Sequence, residues 1–137
     1  MRGFISVGFA GALTSNLRVP QIFEPKKIVC AADETEISNP SGAGTLVSAG
    51  AVAGQEQKVM LAKKHAAEAV DMEGYSVADV ARIYGIVRAD LANRGEIIGA
   101  NDLWIAAHAQ ANDLILVSNN EREFKRIASL KLENWMR

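Results

Sequence analysis

Ahead of residue 80 the chain consists of short apolar runs broken by glycine-rich or polar turns: "FISVGF" (4–9), "KKIVCAA" (26–32), "GTLVSAG" (44–50) and "EAVDM" (68–72). Within each run the apolar residues are continuous. A strand with one face in water alternates apolar with polar residues. A run without alternation suits a strand covered on both faces, as in a parallel sheet with helices on either side. The segments between the runs agree. "QEQKVMLAKKHAAEA" (55–69) has helix-forming composition, with Val59, Ala62 and Ala66 on one stripe. "SVADVARIYG" (76–85) turns Val77, Val80, Ala81 and Tyr84 inward and ends at Gly85, a residue suited to the position just past a helix. "ETEISNPSGAG" (34–44), with Pro40, Gly42 and Gly44, reads as a loop.

After Gly85 the texture changes. "VRADLANRG" is a short amphipathic helix closed by Gly95, and "NDLWIAAHAQAND" (101–113) is apolar nearly all round, as a buried helix is. "LILVSN" (114–119) reads as a buried strand, "NEREFKRI" (120–127) as a charged surface helix and "LKLENW" (130–135) as a last strand. No segment repeats. The expected class is α/β, a mostly parallel sheet flanked by helices in one compact domain.

Composition removes several functions. The 137 residues carry a formal charge of −1, which gives no support to non-specific nucleic-acid binding. Cys30 is the sole cysteine, so there is no disulfide framework and no thiolate metal cluster; its apolar setting makes it a small core residue. Neither His65 nor His108 has a metal-binding partner four residues on, and His108 reads as a core histidine. Trp104, Phe124 and Trp135 are spaced as core residues. The start, "MRGFISVGFAGALTSN", has a superficial likeness to a signal peptide, but Gly8 and Gly11 fit a strand and turn better. No run approaches the ~20 apolar residues that span a bilayer, so the expectation is a cytoplasmic protein without membrane contact.

Two stretches carry chemistry. "ISVGFAGAL" leads a strand into a glycine loop, the kind of place where backbone N–H groups approach a ligand. "AVDMEGYSVADVA" places Asp71 and Glu73 between a strand and a helix, where they either favour the helix start or, for Glu73, accept hydrogen bonds from a ligand's hydroxyls. Together with "TLVSAGAVAGQEQKVMLA", these segments resemble the methylthioadenosine/S-adenosylhomocysteine nucleosidase family over most of residues 3–85. That resemblance implies a purine-nucleoside pocket lined by Ala10, Gly11, Met72 and Glu73, with an adenine nucleoside as ligand. It also implies a Ser-Asp pair on the next strand to protonate the leaving base, and no Ser-Asp pair occurs in this chain.

The second stretch is "GANDLWIAAHA" with "LILVSNNEREF" and "LKLENW". Asn101 and Asp102 open a helix, where a carboxylate is favoured, and Asn119 ends the following strand. The bland reading is a helix cap and a turn; the chemical one is convergence on a hard cation. Residues 86–137 resemble the C-terminal part of the VapC-type PIN-domain ribonucleases, toxins of toxin–antitoxin pairs. The resemblance implies a metal-binding and catalytic role for Asp102 and Asn119, with Mg²⁺ or Mn²⁺ as the ion. It further implies RNA as substrate and a toxin, antitoxin or second copy as protein partner. A PIN nuclease also needs carboxylates from its first half, which the nucleosidase-like pattern does not provide. The chain therefore reads as a composite: 1–85 nucleosidase-like, 86–137 PIN-like, merged in one domain, with both catalytic sets incomplete. A toxin–antitoxin role, as a weak ribonuclease or a non-catalytic binder, ranks ahead of a nucleosidase role.

Overall fold

In a computed structural model of the chain, which describes residues 10–17 and 21–136, "GTLVSAG" becomes a strand with no side in water. This is β4 (Thr45–Ser48), all four residues of which are buried. It lies at the centre of a five-stranded sheet ordered β1-β5-β4-β2-β3. Its neighbours, β2 (Lys27–Cys30) and β5 (Ala69–Asp71), both run parallel to it. The outer strands, β1 (Gly11–Ala12) and β3 (Glu36–Ser38), are antiparallel to theirs. The sheet is therefore mixed, with the covered parallel centre that continuous apolar runs imply. β3 falls inside the segment expected to be loop; Ile37 pairs with Ile28 across a short edge whose flanking residues are polar. The run 4–9 lies outside the described residues.

These strands belong to the first of two compact units, Met1–Ala78 and Asp79–Arg137. The first unit's core joins Val29, Val47 and Val70 from the sheet to Leu61 of helix α1 (Gln55–His65). Leu61 is the buried residue of α1, whereas Val59, expected inward, is half exposed. Ala66, also placed on that stripe, is the left-handed residue that ends the helix.

Helix α2 (Gly74–Asn93) begins in the first unit and continues into the second. Two β-strand side chains fix its start. The Ser48 hydroxyl donates to Asp71 Oδ1 at 2.6 Å and accepts the Tyr75 N–H at 2.7 Å, while Asp71 Oδ2 accepts the Gly74 N–H at 2.9 Å. Two of the first, otherwise orphaned, helix amides are thus satisfied from the sheet. The approach is so close that a Cβ on Gly74 would stand 2.5 Å from Asp71 Oδ2. Contrary to expectation, α2 does not stop at Gly85. That glycine sits in mid-helix on an exposed face, and a Cβ there would meet nothing within 4 Å.

In the second unit the core gathers Tyr84, Val87 and Leu91 of α2 with Leu103, Ala106 and Ala107 of α3 (Ala100–Ala111) and Phe124 of α4 (Glu121–Phe124). Leu91 is wholly buried, a placement that stabilises by about 1.5–3 kcal/mol for such a side chain. Only one face of α3 is buried. Trp104 and Ile105 are partly exposed and His108 is exposed, so His108 is no core histidine. Trp104 stacks on Tyr84 with ring centroids 4.3 Å apart, and Trp135, also expected in the core, is 75% exposed. A small parallel sheet pairs β6 (Leu116–Val117) with β7 (Leu132–Glu133). "LILVSN" is thus a strand, but Leu114, Ile115 and Val117 are substantially exposed where burial was expected.

Two substitutions test these junctions. Gly85→Ala should raise stability by about 0.5–1 kcal/mol, since a mid-helix glycine costs about that much relative to alanine and nothing opposes the added methyl; the urea midpoint should rise at unchanged slope. Ser48→Ala strands the Tyr75 amide and removes one partner of Asp71. It should lower stability by about 1–3 kcal/mol, read from the same transition.

Candidate functional site

In the first unit the four residues assigned to a nucleoside pocket come to one end of the sheet. β1 pairs antiparallel with β5 so that Gly11 lies opposite Val70, and β5 leads directly into Asp71, Met72 and Glu73. Ala10, Met72 and Glu73 are exposed, and Gly11 is half buried. Asp71 is committed to Ser48 and the start of α2, so of the two acidic residues it is the one that takes the capping role. Glu73 contributes its backbone carbonyl to the Val77 N–H, and its carboxylate has no hydrogen-bond partner among the described residues. Two shallow, open hollows of this unit, about 440 and 460 Å³, lie elsewhere, around Gly42, Gly44, Thr45 and Glu68, and none of the four residues lines either.

In the second unit Gly99 caps α3 with extended backbone, so Asp102 falls in the helix's first turn and is half buried. A carboxylate there faces the positive end of the helix dipole, worth up to about 1 kcal/mol. Its Oδ2 accepts a 3.3 Å hydrogen bond from Asn120 Nδ2. Asn119, the residue expected beside it, instead accepts from Asn134 Nδ2 at 3.1 Å. Asn134 also donates to Glu121 Oε1 at 2.6 Å, and the other Glu121 oxygen is ion-paired with Lys125. Ser118 Oγ accepts the Asn120 N–H at 3.1 Å and shapes the turn out of β6.

The ends of β6 and β7 and the start of α3 thus assemble a polar cluster. Sequence reasoning found Asp102 and Asn119 in it and missed Asn120, Glu121 and Asn134. The doubled asparagine after "LILVS" was the available signal: either residue could reach back to α3, and the geometry selects the second. As a divalent-metal centre this donor set does not fit. Asp102 contributes one carboxylate, and Glu121 is already ion-paired with Lys125 and hydrogen-bonded by Asn134. Among the described residues no three His, Cys, Asp or Glu side chains converge. Mg²⁺ yields its waters reluctantly and is held by oxygen ligands that include carboxylates, so one acid and two amides make a weak claim on it.

Comparison with known proteins takes in the second unit and the part of the first that begins at α1. The PIN domain family model matches residues 54–130, taking in α1 and α2 as well as the segment after Gly85. Ribonuclease VapC2 of Haemophilus influenzae is 53% identical over 53 residues, covering 39% of this chain and 40% of the relative. The tRNA(fMet)-specific endonuclease VapC of Shigella flexneri is 42% identical over 66 residues, covering 48% of this chain and 49% of the relative. This chain therefore spans less than half the length of these curated relatives. Among solved structures, VapBC2 from Rickettsia felis bound to a DNA fragment from their promoter aligns with a TM-score of 0.41 at 33% identity, over 66% of this chain and 76% of that one. With more than half of its length matched by the family model, the chain belongs to the PIN-domain family.

Proposed function

We propose that this chain is a toxin–antitoxin protein of the VapC lineage that works by binding a protein partner, an antitoxin or an intact toxin, and does not cut RNA. PIN-domain ribonucleases of the VapC kind generally depend on a divalent metal. The observation that carries the reading is the donor set at the end of β6: the carboxylate of Asp102 is hydrogen-bonded to the neutral Asn120 amide, and among the described residues of the second unit no unpaired carboxylate joins it there. Phosphodiester hydrolysis by metal ions needs enough negative charge to hold the ion and orient a water, and this cluster lacks it. Kinship to the VapC ribonucleases supports the choice of partner class.

A second reading rests on the other unit. The β1–β5 pairing brings Ala10 and Gly11 to the sheet end that carries Met72 and the free carboxylate of Glu73. This placement is what an adenine-nucleoside contact at that sheet end would require, although the PIN family model already takes in residues 54–85. Without a Ser-Asp pair to protonate the base, that contact is binding and not cleavage.

The purified chain should leave RNA intact in millimolar Mg²⁺ or Mn²⁺, with a melting temperature that neither ion moves. Asp102→Ala should co-purify with a co-expressed antitoxin as well as the unaltered chain does. Metal-dependent RNA cleavage abolished by Asp102→Ala would sink the proposal. Stabilisation by adenosine that Glu73→Gln removes would establish the second reading, since a ligand that binds only the folded state raises its stability.

A further inference from the structure

We propose that Arg94 and Arg126 form one reciprocal latch that positions the start of α3, and through it the contact between Asp102 and Asn120. The inference concerns residues 90–127 alone and does not depend on the function proposed above. α2 closes on Gly95, at φ +70°: the Gly95 N–H donates to the Ala92 carbonyl and the Glu96 N–H to that of Leu91. Residues 96–99 then strap α2 to α3. One side chain of this strap, Ile98, is anchored in the core.

The backbone of the strap is held by charged donors. Arg126 Nη1 donates to the Ile97 carbonyl at 3.2 Å and to the Glu96 carbonyl at 3.4 Å. In return, Arg94 Nη2 donates to the Arg126 carbonyl at 2.6 Å. Arg94 is itself fixed by Asp90 Oδ2, which accepts from Nε at 3.1 Å and from Nη2 at 2.8 Å, and by an ion pair of Nη1 with Glu96. Each arginine thus serves the backbone beside the other, and carbonyls outside helices and strands find the donors they need.

The latch lies at one end of α4 and the Asp102–Asn120 contact at the other. Asn120 stands just before α4 and Arg126 two residues after it. The strap ends at Gly99, so close to Asp102 that a Cβ on Gly99 would stand 3.3 Å from Asp102 Oδ2. That same oxygen accepts from Asn120 Nδ2 at 3.3 Å. The contacts therefore close a ring: Arg126 to the strap, the strap to Asp102, Asp102 to Asn120, and α4 back to Arg126. In a ring of short segments a displacement at one contact has to appear at another. The hydrogen bond between Asp102 and Asn120 is already at the long end of the usual range, so it gives first.

The two arginines differ in a way that a test can use. Arg94 works through three nitrogens at once, whereas Arg126 makes both of its bonds from Nη1. A lysine offers one nitrogen, so it can stand in for Arg126 but not for Arg94. The experiment is site-resolved amide exchange with side-chain amide NMR on the full chain. In Arg94→Gln and Arg126→Gln the Glu96 and Leu103 amides, hydrogen-bonded at the two ends of the strap, should exchange about tenfold faster or more, while those of Val87 and Ala107 keep their rates. The Asn120 side-chain amide signal should move toward its position in Asp102→Ala. Because the latch is one unit, the double glutamine variant should exchange no faster than the single ones. Arg126→Lys should retain the protection and Arg94→Lys should lose it; if a glutamine variant does not fold, this pair decides. Equal behaviour of the two lysine variants overturns the proposal, as does an unmoved Asn120 signal or multiplied effects in the double variant. Faster exchange at Val87 and Ala107 to the same degree also overturns it, since the arginines would then stabilise the unit as a whole.

Discussion

β4 takes four residues out of water, and the polar groups it brings with it must find partners inside. Thr45 and Ser48 are the buried polar residues of the described chain, and each is answered by an acid. Glu68 accepts the Thr45 N–H at 2.6 Å and its own N–H donates back to the Thr45 carbonyl at 3.0 Å. Asp71 accepts from Ser48, and the pair then fixes the first turn of α2. A buried hydroxyl or amide without a partner costs about 1–3 kcal/mol, so these acids are requirements of the strand itself. The carboxylates of "EAVDME" are thereby sorted by structure: Glu68 and Asp71 are consumed by the sheet and Glu73 alone is left over.

A comparable division operates in the second unit. Asp102, Asn119, Asn120, Glu121 and Asn134 gather where a helix start meets the ends of two strands, a usual place for ligand groups in α/β proteins. Yet the cluster satisfies itself. Amides face the carboxylates, and Lys125 cancels Glu121. Such internal pairing favours order in the turn from β6 into α4 over capture of a cation. The neighbouring helix ends are held in the same self-contained manner: the Arg94 guanidinium donates to the Arg126 carbonyl at 2.6 Å, and Arg126 donates to the Ile97 carbonyl at 3.2 Å. Asp90 accepts from Arg94 and, as the largest influence on it, raises its already high pKa further.

Much of this was legible in the residues. Continuous apolar runs located β2, β4 and β5, and helical composition located α1 and α3, because burial on both faces and helix propensity leave direct marks on sequence. Edges and partners left weaker marks. β3 was hidden in a polar segment, because an edge strand needs few apolar residues. Gly85 by its residue type suits a helix end, yet helical residues on both sides and the packing of Val87 and Leu91 carry α2 past it. The apolar composition of 114–119 implies a buried strand, but among the described residues β7 alone pairs with β6. At the polar cluster the residue types were visible, whereas the choice of Asn120 over Asn119 as the partner of Asp102 is a matter of turn geometry that spacing does not encode.

Both tryptophans, Trp104 and Trp135, lie beyond residue 78, and Trp104 lies against Tyr84 at 4.3 Å. Indole fluorescence therefore comes from side chains of the second unit, while far-ultraviolet circular dichroism registers helices and strands of both. The chain carries a built-in means of asking whether its halves melt as one cooperative body. Coincident curves from the two signals would mark a single transition, and separated curves would mark a molecule whose parts lose order independently.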